Sequence, residues 1–372
     1  MRRFVAWAAA GLALLGLVGL VGIGWYYSGE ILNVEQPSEA DYDVDVLKVR
    51  AATVTLERTE QSVMPGTFGI DAPEAYAQIG RIIRQDGDAV TRVLTPIDGR
   101  LLPGDVVDVD GYAYPQDPEA AFSFSVEEIT VPGPLGEQPA WLADADSSRW
   151  AILVHGRAAR RNECFRLLPI LHRHDVTGLC VSYRNDASAP ADADGIYRQG
   201  DKEWEDVEAA MTFAKEQGAA DLMLVGYSMG GQITANLLRR SALADEVDAV
   251  IWDAPLLDWG PVIAAGAQER GVPGWLVPIG MRASQWRAGV DYAQLNQVTH
   301  AEDFDVPILL FHGTDDRTVP VSVGDAFAAA RPDIVTYRRV HGAGHVEAWN
   351  ANPQAYARAV GTFLDAALPA GG

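Results

Sequence analysis

The stretch that most constrains this chain is Leu222-Met223-Leu224-Val225-Gly226-Tyr227-Ser228-Met229-Gly230-Gly231, an apolar run ending in a Gly-x-Ser-x-Gly turn. A helix-like segment, Gln232 to Arg240, follows it directly. A buried strand that reverses into a helix over so few residues crowds its own turn, so Gly226 and Gly230 must lack side chains there. The serine between them is held in strained backbone with its Oγ exposed beyond the strand end. The bare pentapeptide is common by chance, and only its setting of strand, turn and helix gives it meaning.

Around this turn, apolar strand candidates alternate with helical ones. Trp150 to Gly156, Gly178 to Tyr183, Asp221 to Tyr227, Ala249 to Asp253, Pro307 to His312 and Ile334 to Val340 read as strands, with Glu203 to Gln217 and Gly231 to Ser241 helical between them. Such alternation predicts a mostly parallel, doubly wound α/β sheet. Strands as uniformly apolar as Ile308-Leu309-Leu310-Phe311 belong in a sheet covered on both faces. Phe122 to Thr130, the turn at Gly133 to Gly136, and Pro139 to Leu142 read as a hairpin leading into the first of them.

The amino-terminal end has a different solvent in view. Phe4 to Tyr27 gives 24 consecutive positions without a charge, after Arg2 and Arg3 and closed by Trp25, Tyr26 and Tyr27. That length suits a membrane span of about 20 residues, the arginines mark the cytoplasmic end, and the aromatics fit the far interface. A transmembrane anchor over 1–28 with the rest extracytoplasmic is therefore expected. A cleaved signal peptide is the alternative, but the run exceeds a usual apolar region and no small-x-small site follows.

From 29 to 120 short alternating runs, such as Val49 to Leu56 and Val90 to Leu94, are punctuated by Gly, Pro and Asp, predicting a small β-rich module. It either spaces the enzyme from the membrane or shapes the site entrance. The turn Asp108-Val109-Asp110-Gly111 lacks the spacing and closing glutamate of a calcium loop. The remaining 121–370 is expected to form the α/β unit around Ser228, and its 256–306 segment, with Trp259, Trp275 and Trp286 after Trp252, reads as an insertion between two strands that is expected to form a small helical lid with an apolar wall.

Composition narrows the partners. A formal net charge of -22 opposes binding to nucleic acid through the folded surface and is read as a solubility feature. The two cysteines, Cys164 and Cys180, cannot form a disulfide framework; two buried thiols are expected, with a single bridge as the alternative. His172 and His174 point in different directions from one helix end, and no zinc spacing occurs, so no metal or cofactor is expected.

A serine hydroxyl is a weak nucleophile at neutral pH, and needs a base within hydrogen-bond reach that a carboxylate holds in one tautomer. Downstream of Ser228 stand His312-Gly313-Thr314-Asp315-Asp316-Arg317-Thr318-Val319-Pro320 and Gly342-Ala343-Gly344-His345, each after a strand candidate. Asp315, Asp316, Asp253 and Asp258 are candidate acids, and His345 and His341 candidate bases.

With these motifs, and with Ser182-Tyr183-Arg184-Asn185-Asp186 and Trp204-Glu205-Asp206-Val207, the chain from about Phe122 to Leu368 resembles serine hydrolases of the alpha/beta-hydrolase superfamily. It is most similar to members like serine aminopeptidases and monoacylglycerol lipases, of a bacterial membrane-anchored type. The resemblance implies the order Ser228, acid, His345. In members with His-Gly-x-x-Asp-x-x-Val-Pro it implies Asp316 as acid, with Asp315 second and Asp253 and Asp258 structural. It implies an oxyanion hole from the backbone N–H groups of Met229 and, in the His155-Gly156-Arg157 loop, Arg157. The expected activity is hydrolysis of a small or lipid-like ester, or of an amide, without cofactor; a peptidase, an acyltransferase and a tethered binding module are the alternatives.

Overall fold

The apolar runs form the middle of one large sheet. A computed structural model describes residues 2–35, 37 and 40–368. Helix α1 (Arg2–Leu32) leads into six strands, β1 (Val44–Arg50), β2 (Thr53–Glu57), β3 (Phe68–Ala72), β4 (Ala75–Asp86), β5 (Ala89–Gly99) and β6 (Val106–Asp110). They close into an antiparallel barrel in the order β1-β2-β5-β4-β3-β6. Their alternating sequence fits this shape, because inward residues such as Val54, Leu56, Ile70, Ile79 and Val107 fill the interior. Buried Arg92 donates to the carbonyls of Gly80, Ser62 and Gly66, and its burial lowers its pKa to about 10.

After the short α2 (Pro118–Ala121) come β7 (Glu127–Gly133), β8 (Gly136–Ala143), β9 (Arg149–Val154), α3 (Leu168–Arg173), β10 (Thr177–Val181), α4 (Trp204–Glu216), β11 (Asp221–Tyr227), α5 (Met229–Arg240) and β12 (Val247–Asp253). Then follow α6 (Trp259–Glu269), α7 (Val277–Ala288), β13 (Ile308–Gly313), α8 (Val321–Ala330), β14 (Val335–Val340), α9 (Ala348–Ala351) and α10 (Pro353–Ala367). The sheet order is β14-β13-β12-β11-β9-β10-β8-β7. Strands β14 to β10 are parallel, and the β7–β8 hairpin adds the antiparallel edge. The first strand of that hairpin starts at Glu127, not Phe122: Phe122 and Phe124 stack on each other and pack on Phe165 and His172 instead.

The fold is thus a doubly wound, mostly parallel α/β sheet with helices on both faces and a separate small barrel before it. One core face carries Ile152, Val154, Leu224 and Trp252 against α4, α5 and α8; the other carries Ala151, Leu153 and Met223 against α3 and α10. Every residue of β9 from Trp150, and all of β10 and β13, is buried, the physical reason these strands read as unbroken apolar runs. Cys164 and Cys180 are buried free thiols.

Helix α1 is long and apolar enough from Leu14 to Leu32 to cross a membrane. It continues past the aromatic cluster to Leu32, so its last turn joins the core of the large sheet through Ile31 and Leu32. The barrel docks at the back of the sheet's carboxyl edge, where Thr67 N–H donates to the Asn350 carbonyl and Asn350 Nδ2 donates to the carbonyls of Thr67 and Gly111.

Trp252 is fully buried, edge-on to Phe304 and Phe327, with Nε1 donating to Thr234 Oγ1 at 2.9 Å. Trp252→Ala should leave a cavity and destabilise the hydrolase unit by about 3–5 kcal/mol, read from its urea unfolding midpoint.

Candidate active site

Ser228 follows β11, the strand between β9 and β12, and its backbone stands at φ 50°, ψ −115°. A non-glycine residue held there stores strain on the order of 1–3 kcal/mol, so neighbours must fix it. They do: Ser228 N–H donates to the Asp253 carbonyl at 3.1 Å, and Ser228's carbonyl accepts from Gly231 and Leu256 N–H at 3.0 and 2.9 Å. Side chains are excluded on both sides of the serine. A Cβ on Gly226 would stand 2.6 Å from the Gly230 carbonyl oxygen, and one on Gly230 would stand 2.1 Å from that of Val154.

Beyond the ends of β11, β13 and β14 three side chains meet. His345 Nε2 lies 2.8 Å from Ser228 Oγ, and His345 Nδ1 lies 2.8 Å from Asp316 Oδ2. Asp316 Oδ1 accepts the N–H groups of Thr318 and Val319 at 2.9 and 2.8 Å, which orients the carboxylate. Burial alone would raise its pKa, but hydrogen bonds from His312 and His345 and the N–H of Val319 bring it down to about 2. The group is therefore an anion throughout the neutral range, able to fix the Nδ1–H tautomer and leave Nε2 free to accept from Ser228. His312 holds the loop from beneath, with Nε2 2.9 Å from the Val319 carbonyl.

The other candidates lie elsewhere. Asp315 is exposed and accepts only from Thr314 Oγ1 among its side-chain bonds, His341 is exposed, and Asp258 caps α6 by accepting from Gly260 N–H. Asp253 is buried under the elbow, and burial pushes its carboxyl up to about 7 against the pull of Arg166.

The loop after β9 curls over the serine, since a Cβ on Gly156 would lie 3.1 Å from Ser228 Cβ. Its amides are unequal: Gly156 N–H donates to Glu163 Oε2 at 2.7 Å, whereas those of Arg157 and Met229 have no partner among the described residues. Glu163 had no signal in sequence, because its role arises from the loop folding back over seven residues. The Arg157 side chain instead ties down the end of α1, donating to the carbonyls of Ile31, Glu30 and Asn33 and to Glu35.

Beneath the loop, His155 Nδ1 faces the Gly156 carbonyl at 2.8 Å and Nε2 faces Asp186 Oδ2 at 2.9 Å. Both ring nitrogens face acceptors, an arrangement that favours the doubly protonated ring. Burial would lower its pKa, but the Asp186 carboxylate and the Gly156 carbonyl raise it overall.

Ser228 and His345 open into a cavity of about 360 Å³, of the size that takes small ligands. Part of its wall is apolar, with Trp259, Val262 and Ile263 from α6, Leu276 before α7 and Tyr27 and Ile31 of α1, while Glu30, Glu35, Arg157, Glu269, Arg270 and Arg317 add charged groups. The four tryptophans have three fates: Trp252 is core, Trp259 lines the cavity, and Trp275 and Trp286 are exposed on the outside. Among the described residues, none of the cavity lining comes from the barrel.

Residues 151–359 match the alpha/beta hydrolase family, and residues 45–110 match a domain of unknown function, DUF8805. No curated protein matches the chain in sequence. An esterase of Pyrococcus furiosus, Pf2001, superposes with a TM-score of 0.56 at 19% identity over 68% of this chain and 95% of that one. Another crystal form of it gives 0.53 at 20% identity over 66% and 94%. A bacterial membrane phospholipase A gives 0.49 at 20% identity over 66% and 87%. At such identities the likeness to these structures is one of fold.

The His155 ring should show two N–H protons at neutral pH by ¹⁵N NMR. Because its pKa is raised on folding, the stability it contributes is complete below its unfolded pKa of about 6.5 and fades as pH rises through the folded value. Asp186→Asn should thus lower the thermal midpoint more at pH 6 than at pH 9; an equal or larger loss at pH 9 would contradict the charged ring.

Proposed function

This chain belongs to the alpha/beta hydrolase family, and from that premise we propose that it is a serine hydrolase cleaving a carboxylic ester through an acyl-enzyme on Ser228. The observation that carries the reading is the unbroken relay from Ser228 Oγ through His345 to Asp316, with both links at 2.8 Å. Ser228 Oγ bonds to the acyl carbon as its proton passes to His345 Nε2. The tetrahedral intermediate's oxyanion takes hydrogen bonds from the Met229 and Arg157 N–H groups. Glu163 supports that assignment by engaging Gly156 N–H, so Arg157 supplies the loop's free donor.

Collapse expels the alcohol, which leaves with the proton from His345. Water then gives a proton to His345, attacks the acyl carbon and frees the acid, and Ser228 recovers its hydrogen. Asp316, an anion with its pKa near 2, stabilises the imidazolium in both halves. The apolar wall of Val262, Ile263 and Leu276 suits an acyl chain, which favours an ester over a peptide. In this reading 1–28 anchors the chain, 29–120 is an accessory module and 121–370 is the catalytic unit with a 256–306 lid. Arg2 and Arg3 ahead of the span favour a catalytic unit outside the cytoplasm.

A fluorophosphonate probe should label Ser228, and Ser228→Ala should abolish both labelling and p-nitrophenyl ester turnover. Asp316→Asn should lower kcat by about 10⁴-fold while Asp315→Asn stays near wild type. Equal small losses at the two would move the acid to Asp253 or Asp258.

A further inference from the structure

The end of α1 lines the cavity through Tyr27, Glu30 and Ile31, together with Trp259, Leu276 and Gly280 of the 256–306 segment. This contact is built in. Gly24 packs so closely on α7 that a Cβ there would meet Ile279 Cγ2 at 3.2 Å and Ala283 Cβ at 3.4 Å, and one on Gly280 would meet Tyr27 Cβ at 3.2 Å. Trp25 meets Trp286 edge-on at 6.2 Å. The Arg287 guanidinium lies 4.3 Å from the centroid of the Trp25 ring and donates to Ser28 Oγ at 2.6 Å. The membrane helix and the lid are one packed unit.

That unit has a fixed depth. A span of about 20 residues starting at Phe4 ends close to Trp25, where tryptophan and tyrosine prefer the headgroup level. With a rise of about 1.5 Å per residue, Tyr27 to Ile31 stand roughly 3–9 Å beyond Trp25. The cavity therefore begins at the bilayer surface. On the same unit, Trp286 is 78% exposed where it meets Trp25, itself 52% exposed next to Tyr26 at 64%, and Trp275, in the turn before α7, is 63% exposed. An outward aromatic cluster of this kind suits an interface, where the ring is buried and its N–H or O–H stays wet. The chain's charge of -22 would hold it off an anionic surface, so this contact is apolar in origin.

Resting on the serine-hydrolase reading above, we infer that the substrate is a bilayer glycerolipid, whose ester and acyl chain enter the cavity from the membrane between α1 and the α6–α7 lid. A water-soluble ester has no use for a cavity walled by the membrane helix. A lipid taken at this level moves from one apolar medium to another without exposing its chain to water.

The test uses the full-length protein in phosphatidylcholine nanodiscs, with three readings: fluorophosphonate labelling of Ser228, release of fatty acid from the disc lipid, and photo-adducts in Ser228→Ala from a phosphatidylcholine with a diazirine at its chain end. Fatty acid release is expected, with adducts on Ile263 and Leu276 inside the cavity. Trp275→Ser combined with Trp286→Ser, which lie outside the cavity, should slow lipid hydrolysis about ten-fold and leave labelling within about two-fold. A protein that is labelled and hydrolyses p-nitrophenyl butyrate but releases no fatty acid overturns the inference, as do adducts confined to α1 before Trp25 or undiminished lipid hydrolysis in the double variant. Absent labelling would instead sink the serine-hydrolase reading, and the photo-adducts would still decide whether lipid reaches the cavity.

Discussion

The backbone of Ser228 carries a conformation that the chain resists, and much of the surrounding structure exists to impose it. At φ 50° the residue is tolerated because three hydrogen bonds from the β12 end and the first turn of α5 hold it. The same crowding fixes its neighbours. Gly230 is pressed on the Val154 carbonyl at the end of β9, and the loop that follows turns over the serine, bringing Gly156 close to Ser228 Cβ. One strained turn thereby fixes Ser228 against both the start of α5 and the loop after β9.

A buried polar frame holds the other half of the site. Arg166 donates to the carbonyls of Val346 and Gly111 and to Asn350 Oδ1, joining the loop that carries His345 to the strand-to-sheet junction behind the barrel. Glu163, three residues before it, takes the Gly156 amide. A fully buried charge is costly unless paired and hydrogen-bonded, so these groups persist only where each has a partner. The frame explains why the barrel sits behind the histidine loop: its carbonyls complete the bonding of Arg166 and Asn350. Among the described residues the barrel meets this frame and lines none of the cavity.

What could be read in the sequence was whatever local chemistry forces. The glycines around Ser228, the aspartate pair before Val319-Pro320 and the apolar strands are each dictated within a few residues, and the structure brings Ser228, Asp316 and His345 together from three strand ends. Asp315 and Asp316 are neighbours in sequence, yet only Asp316 turns inward, because its Oδ1 caps the N–H groups of Thr318 and Val319. Contacts at long range left no such trace. Glu163, His155 with Asp186, and the wall formed by α1 all depend on which surfaces pack, and the tryptophans of 252–286 divide between core, cavity and exterior without any change of residue type.

Helices α6 and α7 depend on α1 for part of their packing. Helix α6 buries only Trp259, and α7 buries only Gly280, Ser284 and Ala288, so little apolar surface holds either helix to the sheet. Segments with few buried apolar contacts open at low cost in free energy. The close contact of α7 with Gly24 and Tyr27 supplies what the sheet does not, and α1 in turn is fixed to the β9 loop by the Arg157 guanidinium. A helix held in a bilayer has its depth set by its apolar length and interfacial aromatics. With α1 seated in a bilayer as proposed, the α6–α7 segment, the cavity and the Arg157 loop inherit that depth through α1, and the membrane becomes part of what defines the geometry around Ser228.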